Sequence, residues 1–121
     1  HTLPIWCFYE LSDGRLLTGS SDQTMRLWNL LTGEVVQVYK GHSLPVWAIT
    51  LGEDDVMLSG SEDSTIKTWD YKEGLMIRSI IAHSNAVWSL DSNPNPKPGL
   101  IASGSWDTTV KIWAFIRKNT A

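Results

Sequence analysis

Apolar and polar residues alternate along this chain in short runs, the period expected of half-buried strands. Within residues 42–82 the runs fall at 45–51, 56–61, 65–71 and 75–81, and turn residues separate them. The stretches "SDG" at 12–14, "LTG" at 31–33 and "KEG" at 72–74 have the composition of hairpin turns, with a glycine free to adopt positive φ. Four antiparallel strands in this unit of chain follow.

The unit is repeated. "TGSSDQTMRLWN" at 18–29, "SGSEDSTIKTWD" at 59–70 and "SGSWDTTVKIWA" at 103–114 are near copies, and a search for such periods precedes any finer reading. His1, His42 and His83 lie 41 residues apart, and five residues after each comes a tryptophan: Trp6 in "PIW", Trp47 in "PVW" and Trp88 in "AVW". Asp22 and Asp63 follow those tryptophans by 16 residues but Asp107 follows by 19, so the third unit carries a three-residue insertion. The proline-rich "NPNPKPG" at 93–99 accounts for it, and since proline cannot donate to a ladder it reads as a surface loop between the first two strands. Six residues after each aspartate comes a second tryptophan, Trp28, Trp69 and Trp113, which leaves Trp106 alone outside the register.

Histidine near the start of each unit, serine or threonine in the second strand, aspartate in the next turn and tryptophan closing the third strand resemble the WD-repeat family of β-propellers. The resemblance covers essentially all 121 residues, although the name-giving dipeptide is intact only at Trp69-Asp70 and becomes Trp28-Asn29 and Trp113-Ala114 elsewhere. It implies an all-β fold: a propeller segment of three four-stranded antiparallel blades, at 1–41, 42–82 and 83–121. The last blade is expected to lack its outermost strand unless "AFIRKNTA" at 114–121 forms a stub. The family also implies a hydrogen-bonded chain inside each blade, from the Trp69 indole to Ser59, from Ser59 to His42 and from His42 to Asp63. The counterparts are Trp28, Thr18, His1 and Asp22 in the first unit, and Trp113, Ser103, His83 and Asp107 in the third.

Serine, histidine and aspartate also suggest a nucleophile triad. Threefold recurrence beside a bulky indole argues against it, because catalysis needs one site with an exposed nucleophile. Histidines 41 residues apart fall on different blades, which argues against a shared metal, so neither metal nor cofactor is expected. Ten Lys and Arg against thirteen Asp and Glu leave a formal charge of −3, which offers no general attraction to nucleic acid or to anionic membranes. No apolar run approaches the roughly 20 residues that cross a bilayer, and the first residues show no signal-peptide pattern. One cysteine, Cys7, makes no internal disulfide and fits a reducing compartment, cytoplasm or nucleus.

Closed propellers use four to eight blades, so three repeats should leave two sheet faces to be covered. Further blades from a longer chain, of which this would be the C-terminal portion, or a second copy forming a six-bladed ring would do so. The resemblance places Trp6, Trp47 and Trp88, with Ser21, Glu62 and Trp106, on one rim around the central channel. Packing of the first three in the core is the competing reading. The resulting expectation is a non-catalytic scaffold that presents an aromatic rim to other proteins or peptides. Substrate recognition within a ubiquitin-ligase receptor is the alternative, although the arginines that phosphopeptide readers place on that rim are absent. The basic residues Arg26, Lys67 and Lys111 stand instead in the third strands, where a solvated or stem-packed role is expected.

Overall fold

The computed structural model describes residues 1–52, 55–93 and 99–114. Eleven strands and no helix make up the described chain, in three antiparallel sheets. The first sheet is β1 (Ile5–Glu10), β2 (Arg15–Ser20), β3 (Thr24–Asn29) and β4 (Glu34–Lys40) in sequence order. The second is β5 (Val46–Leu51), β6 (Val56–Ser61), β7 (Thr65–Asp70) and β8 (Leu75–Ile81). The third holds β9 (Val87–Asn93), β10 (Leu100–Ser105) and β11 (Val110–Ala114), with no fourth strand among the described residues. Residues 94–98 of the proline-rich insertion and 115–121 of the expected stub lie outside the described residues.

Each sheet is a meander because its turns are short. Gly14, Gly33 and Gly74 take positive φ in the turns before β2, β4 and β8, where a β-carbon would be strained. The turns between second and third strands instead force Gln23, Ser64 and Thr108 to φ near +73°, a conformation that costs a non-glycine residue on the order of 1–2 kcal/mol. That cost is offset by the aspartate beside each one, as described below.

Sheets stack through their faces, with β5 packed between β1 and β9. In the middle sheet β5, β6 and β7 are largely buried while β8 is exposed, and alternation divides the buried side chains between the two interfaces. Met57 and Trp69 join Leu17, Met25, Leu27 and Tyr39 of the first sheet, whereas Leu58 and Ile66 join Val87 and Ile101 of the third. A knob and a socket recur at each interface. A β-carbon on Gly19 would stand 2.9 Å from Val46 Cγ1, and one on Gly60 would stand 2.7 Å from Val87 Cγ1, so only glycine admits the neighbour's valine. Val46 and Val87 are 0% exposed in consequence.

The two outer faces carry the same parts without partners. Ile5, the counterpart of Val46 and Val87, is 51% exposed, and a β-carbon on Gly104 would meet only Ser89 Oγ of its own sheet. Val110 and Ile112, the counterparts of the buried Met25 and Leu27, are likewise exposed.

Candidate functional site: a fastened blade and a tryptophan rim

Each sheet encloses one chain of polar side chains. In the middle blade the Trp69 indole donates to Ser59 Oγ at 2.9 Å, Ser59 Oγ lies 2.7 Å from His42 Nε2, and His42 Nδ1 lies 2.9 Å from Asp63 Oδ2. The first blade repeats this through Trp28, Thr18, His1 and Asp22 at 2.8, 2.6 and 2.8 Å. The third repeats it through Trp113, Ser103, His83 and Asp107 at 2.9, 2.8 and 2.8 Å. A neutral histidine with its proton on Nδ1 satisfies every member: the hydroxyl accepts from the indole and donates to Nε2, while Nδ1 donates to the carboxylate.

The aspartates do further work at the strained turns. Asp63 accepts from the backbone N–H groups of Ser43 at 3.2 Å and Thr65 at 2.9 Å, thereby tying two loops to one carboxylate. Asp22 receives Thr2 and Thr24, and Asp107 receives Ser84 and Thr109. Burial would raise the Asp63 carboxyl, but hydrogen bonds from His42 and Thr65 outweigh it and hold the group well below the usual carboxylate range. Burial opposes the bonds from Thr24 and Thr2 at Asp22 in the same way, and its carboxyl is also lowered. At Asp107 the Thr109 hydroxyl is the main cause of a carboxyl held well below the usual range.

Three serines that the sequence did not single out complete this fastening. Ser20, Ser61 and Ser105 accept from the N–H of the turn aspartate at 3.0 to 3.1 Å. Each also donates to backbone carbonyls of the segment entering its blade, such as Pro4 O at 2.9 Å and Pro45 O at 2.8 Å. Their signal was visible as the serine in third place of "TGSS", "SGSE" and "SGSW", the same in all three units.

Serine, histidine and aspartate thus stand within the reach a nucleophile triad requires. Their chemistry is nonetheless closed off, since Ser59 and Ser103 are buried and their oxygens already engage an indole and an imidazole. Among the described residues no group of three His, Cys, Asp or Glu side chains is placed to hold a metal ion. Lys67 is buried with its ammonium 2.9 Å from Ser79 Oγ, so its stem is packed, whereas Lys111 is exposed and donates to Ala82 O. The Arg26 Nε atom is buried and makes no hydrogen bond.

The rim is built by register. In β1, β5 and β9 one residue is extra relative to the partner strand: Val46 pairs with Ser61 and Ala48 with Gly60, which leaves Trp47 unmatched. Trp6 and Trp88 are the unmatched residues of the other two blades. A bulge of this kind re-aims its side chain out of the pleat. The three indoles therefore meet each other instead of entering the blade cores. Trp6 and Trp47 have ring centroids 4.6 Å apart, Trp47 and Trp88 are 4.5 Å apart, and Trp88 packs against Trp106 at 4.8 Å, each pair tilted by 34° to 49°. Core packing is excluded for the outermost indoles: Trp6 is 50% and Trp106 63% exposed, while Trp47 and Trp88 are half-buried between them.

The residue before the turn aspartate decides the fate of each indole N–H. Ser21 accepts from Trp6 Nε1. Its counterparts are Glu62 and Trp106, and the N–H groups of Trp47 and Trp88 are buried without a partner.

Comparison with known proteins agrees with this architecture. The family model described as "WD domain, G-beta repeat" matches three times, at residues 1–29, 33–70 and 74–114. Kinesin-like protein KIF21B of Homo sapiens and of Mus musculus is 45% identical over 42 residues, 35% of this chain and 2% of that protein. WD repeat-containing protein pop1 of Schizosaccharomyces pombe is 48% identical over 42 residues, 35% of this chain and 5% of its own length. The crystal structure of the WD40 β-propeller domain of Doa1 superposes with a TM-score of 0.85 at 29% identity, covering 93% of this chain and 37% of that one. The chain thus spans a small part of each relative's length. With three consecutive matches over most of its residues and three antiparallel sheets of the propeller kind, this chain belongs to the WD domain, G-beta repeat family.

Proposed function

We propose that this chain serves as a non-catalytic protein-interaction scaffold, the role that WD40 propellers generally have, and that its contact surface is the tryptophan rim. One observation carries the reading: four indoles from three blades form a contiguous row of ring contacts, with both terminal rings exposed. Exposed tryptophan is costly to leave in water and is enriched where partners bind, because it offers large area with few rotamers to freeze. The fastening chains support the same division of labour, since they hold the rim rigid and present no reactive group. The narrower reading of a ubiquitin-ligase substrate receptor draws no support from the six rim positions, which hold no arginine. The lone cysteine, whose thiol burial pushes up to about 12, suits the cytoplasm or nucleus.

Capture of partners from cell extract by the wild-type chain, by Trp106→Ser and by Asp13→Ala at the opposite end of the first blade tests this. Partners retained by Asp13→Ala and lost by Trp106→Ser are expected. The same proteins bound by all three would remove the rim as the contact surface.

A further inference from the structure

We infer that the tryptophan rim takes a cationic side chain, lysine or arginine, from an extended partner peptide, with the cation seated on indole faces and paired with the Glu62 carboxylate. This rests on the scaffold reading and narrows it to a ligand chemistry. The electron-rich face of tryptophan is the best aromatic acceptor for a cation, which binds within about 6 Å of the ring centroid. Here four such rings are contiguous, and Trp106, in a turn at one end of the row, is 63% exposed.

Glu62 gives the rim its sign. It sits in the turn beside Trp47, in the place that serine and tryptophan occupy in the other two blades. Its backbone N–H donates to Pro45 O at 3.0 Å, but among the described residues its carboxylate has no hydrogen bond and no salt bridge. No rim position carries lysine or arginine, so nothing within the rim neutralises that charge. A carboxylate carried on the same turn as these indoles' bulged strand and left unpaired is complementary to a cation with an apolar stem. The same side chain repels phosphate, which argues against stacked nucleobases as the occupant despite their fit to tryptophan.

Random peptides displayed on phage, panned in parallel on the wild-type chain and on Trp106→Ser, test the inference. Trp106 lies on the surface outside the fastening network, and a melting curve of the variant verifies that it folds. Rim-dependent peptides enriched in lysine or arginine are expected. Exchanging that residue for glutamine in a synthetic copy should weaken binding about tenfold, and Glu62→Gln should weaken it several-fold, as judged from cation–π and charge-pair strengths at a partly desolvated site. Rim-dependent peptides without enrichment, or binding indifferent to the glutamine exchange, would overturn the cation while leaving the scaffold intact. A panning that yields no rim-dependent peptide would count against both. Oligothymidylate bound by the wild type and lost in Trp106→Ser would replace the cationic peptide with a base-stacking ligand.

Discussion

At the scale of single residues, the fastening chain of each blade is closed: every donor within it, from the second indole to the turn amides, meets an acceptor. Removing a member leaves a buried group unpaired, which costs more than the bond's net contribution. His42→Ala and Asp63→Ala should each lower stability by about 1–3 kcal/mol in urea denaturation, and unchanged midpoints would refute a fastening role. The three turn aspartates also predict an acid response. Their carboxyls sit below the usual range in the fold, so the unfolded chain binds more protons and stability rises with pH. That contribution is complete above the ordinary aspartate value near 4 and drains away as pH falls through the lower folded values. Melting temperature should therefore drop steeply below about pH 4, and Asp63→Asn should flatten the drop. Which side chains bond was legible only through the family resemblance, which the residue types recurring at matched offsets carried. The roles of Ser20, Ser61 and Ser105 were not, because a serine on a strand gives no sign of which carbonyl it reaches.

At the scale of the elements, alternation and turn residues located the strands of residues 42–82 almost to the residue, with only the ends at Pro45 and Tyr71 trimmed. The rim was harder to read. Whether Trp6, Trp47 and Trp88 face core or solvent depends on a one-residue bulge, and bulges arise from register between two strands rather than from either strand's own pattern. The sockets between sheets were equally hidden, since a glycine in "SGS" does not show what stands opposite. Their geometry makes an asymmetric prediction. Gly60→Ala drives a methyl to 2.7 Å from Val87 Cγ1 and should cost about 1–3 kcal/mol, whereas Gly104→Ala meets only a serine hydroxyl that can rotate and should cost little. Equal losses in the two variants, measured by chemical denaturation, would mean that the sheets do not pack as described.

At the scale of the whole molecule, the two outer faces complement each other. One offers the unseated Ile5 and the other the empty socket at Gly104. We propose that further blades cover them, from a longer chain or from a second copy. Light scattering on the 121-residue chain should therefore give more than 13.6 kDa: twice that mass for a closed pair, or larger aggregates. A stable monomer at high concentration would contradict the proposal. Repeated residues fasten each blade, and in the proposed function the tryptophans of the rim recognise the partner.

That division is tested most directly by titrating a peptide selected on the wild-type chain into Trp106→Ser by calorimetry. The account predicts an affinity at least about tenfold weaker, as expected of a buried aromatic anchor at a contact surface. An unchanged affinity would contradict it.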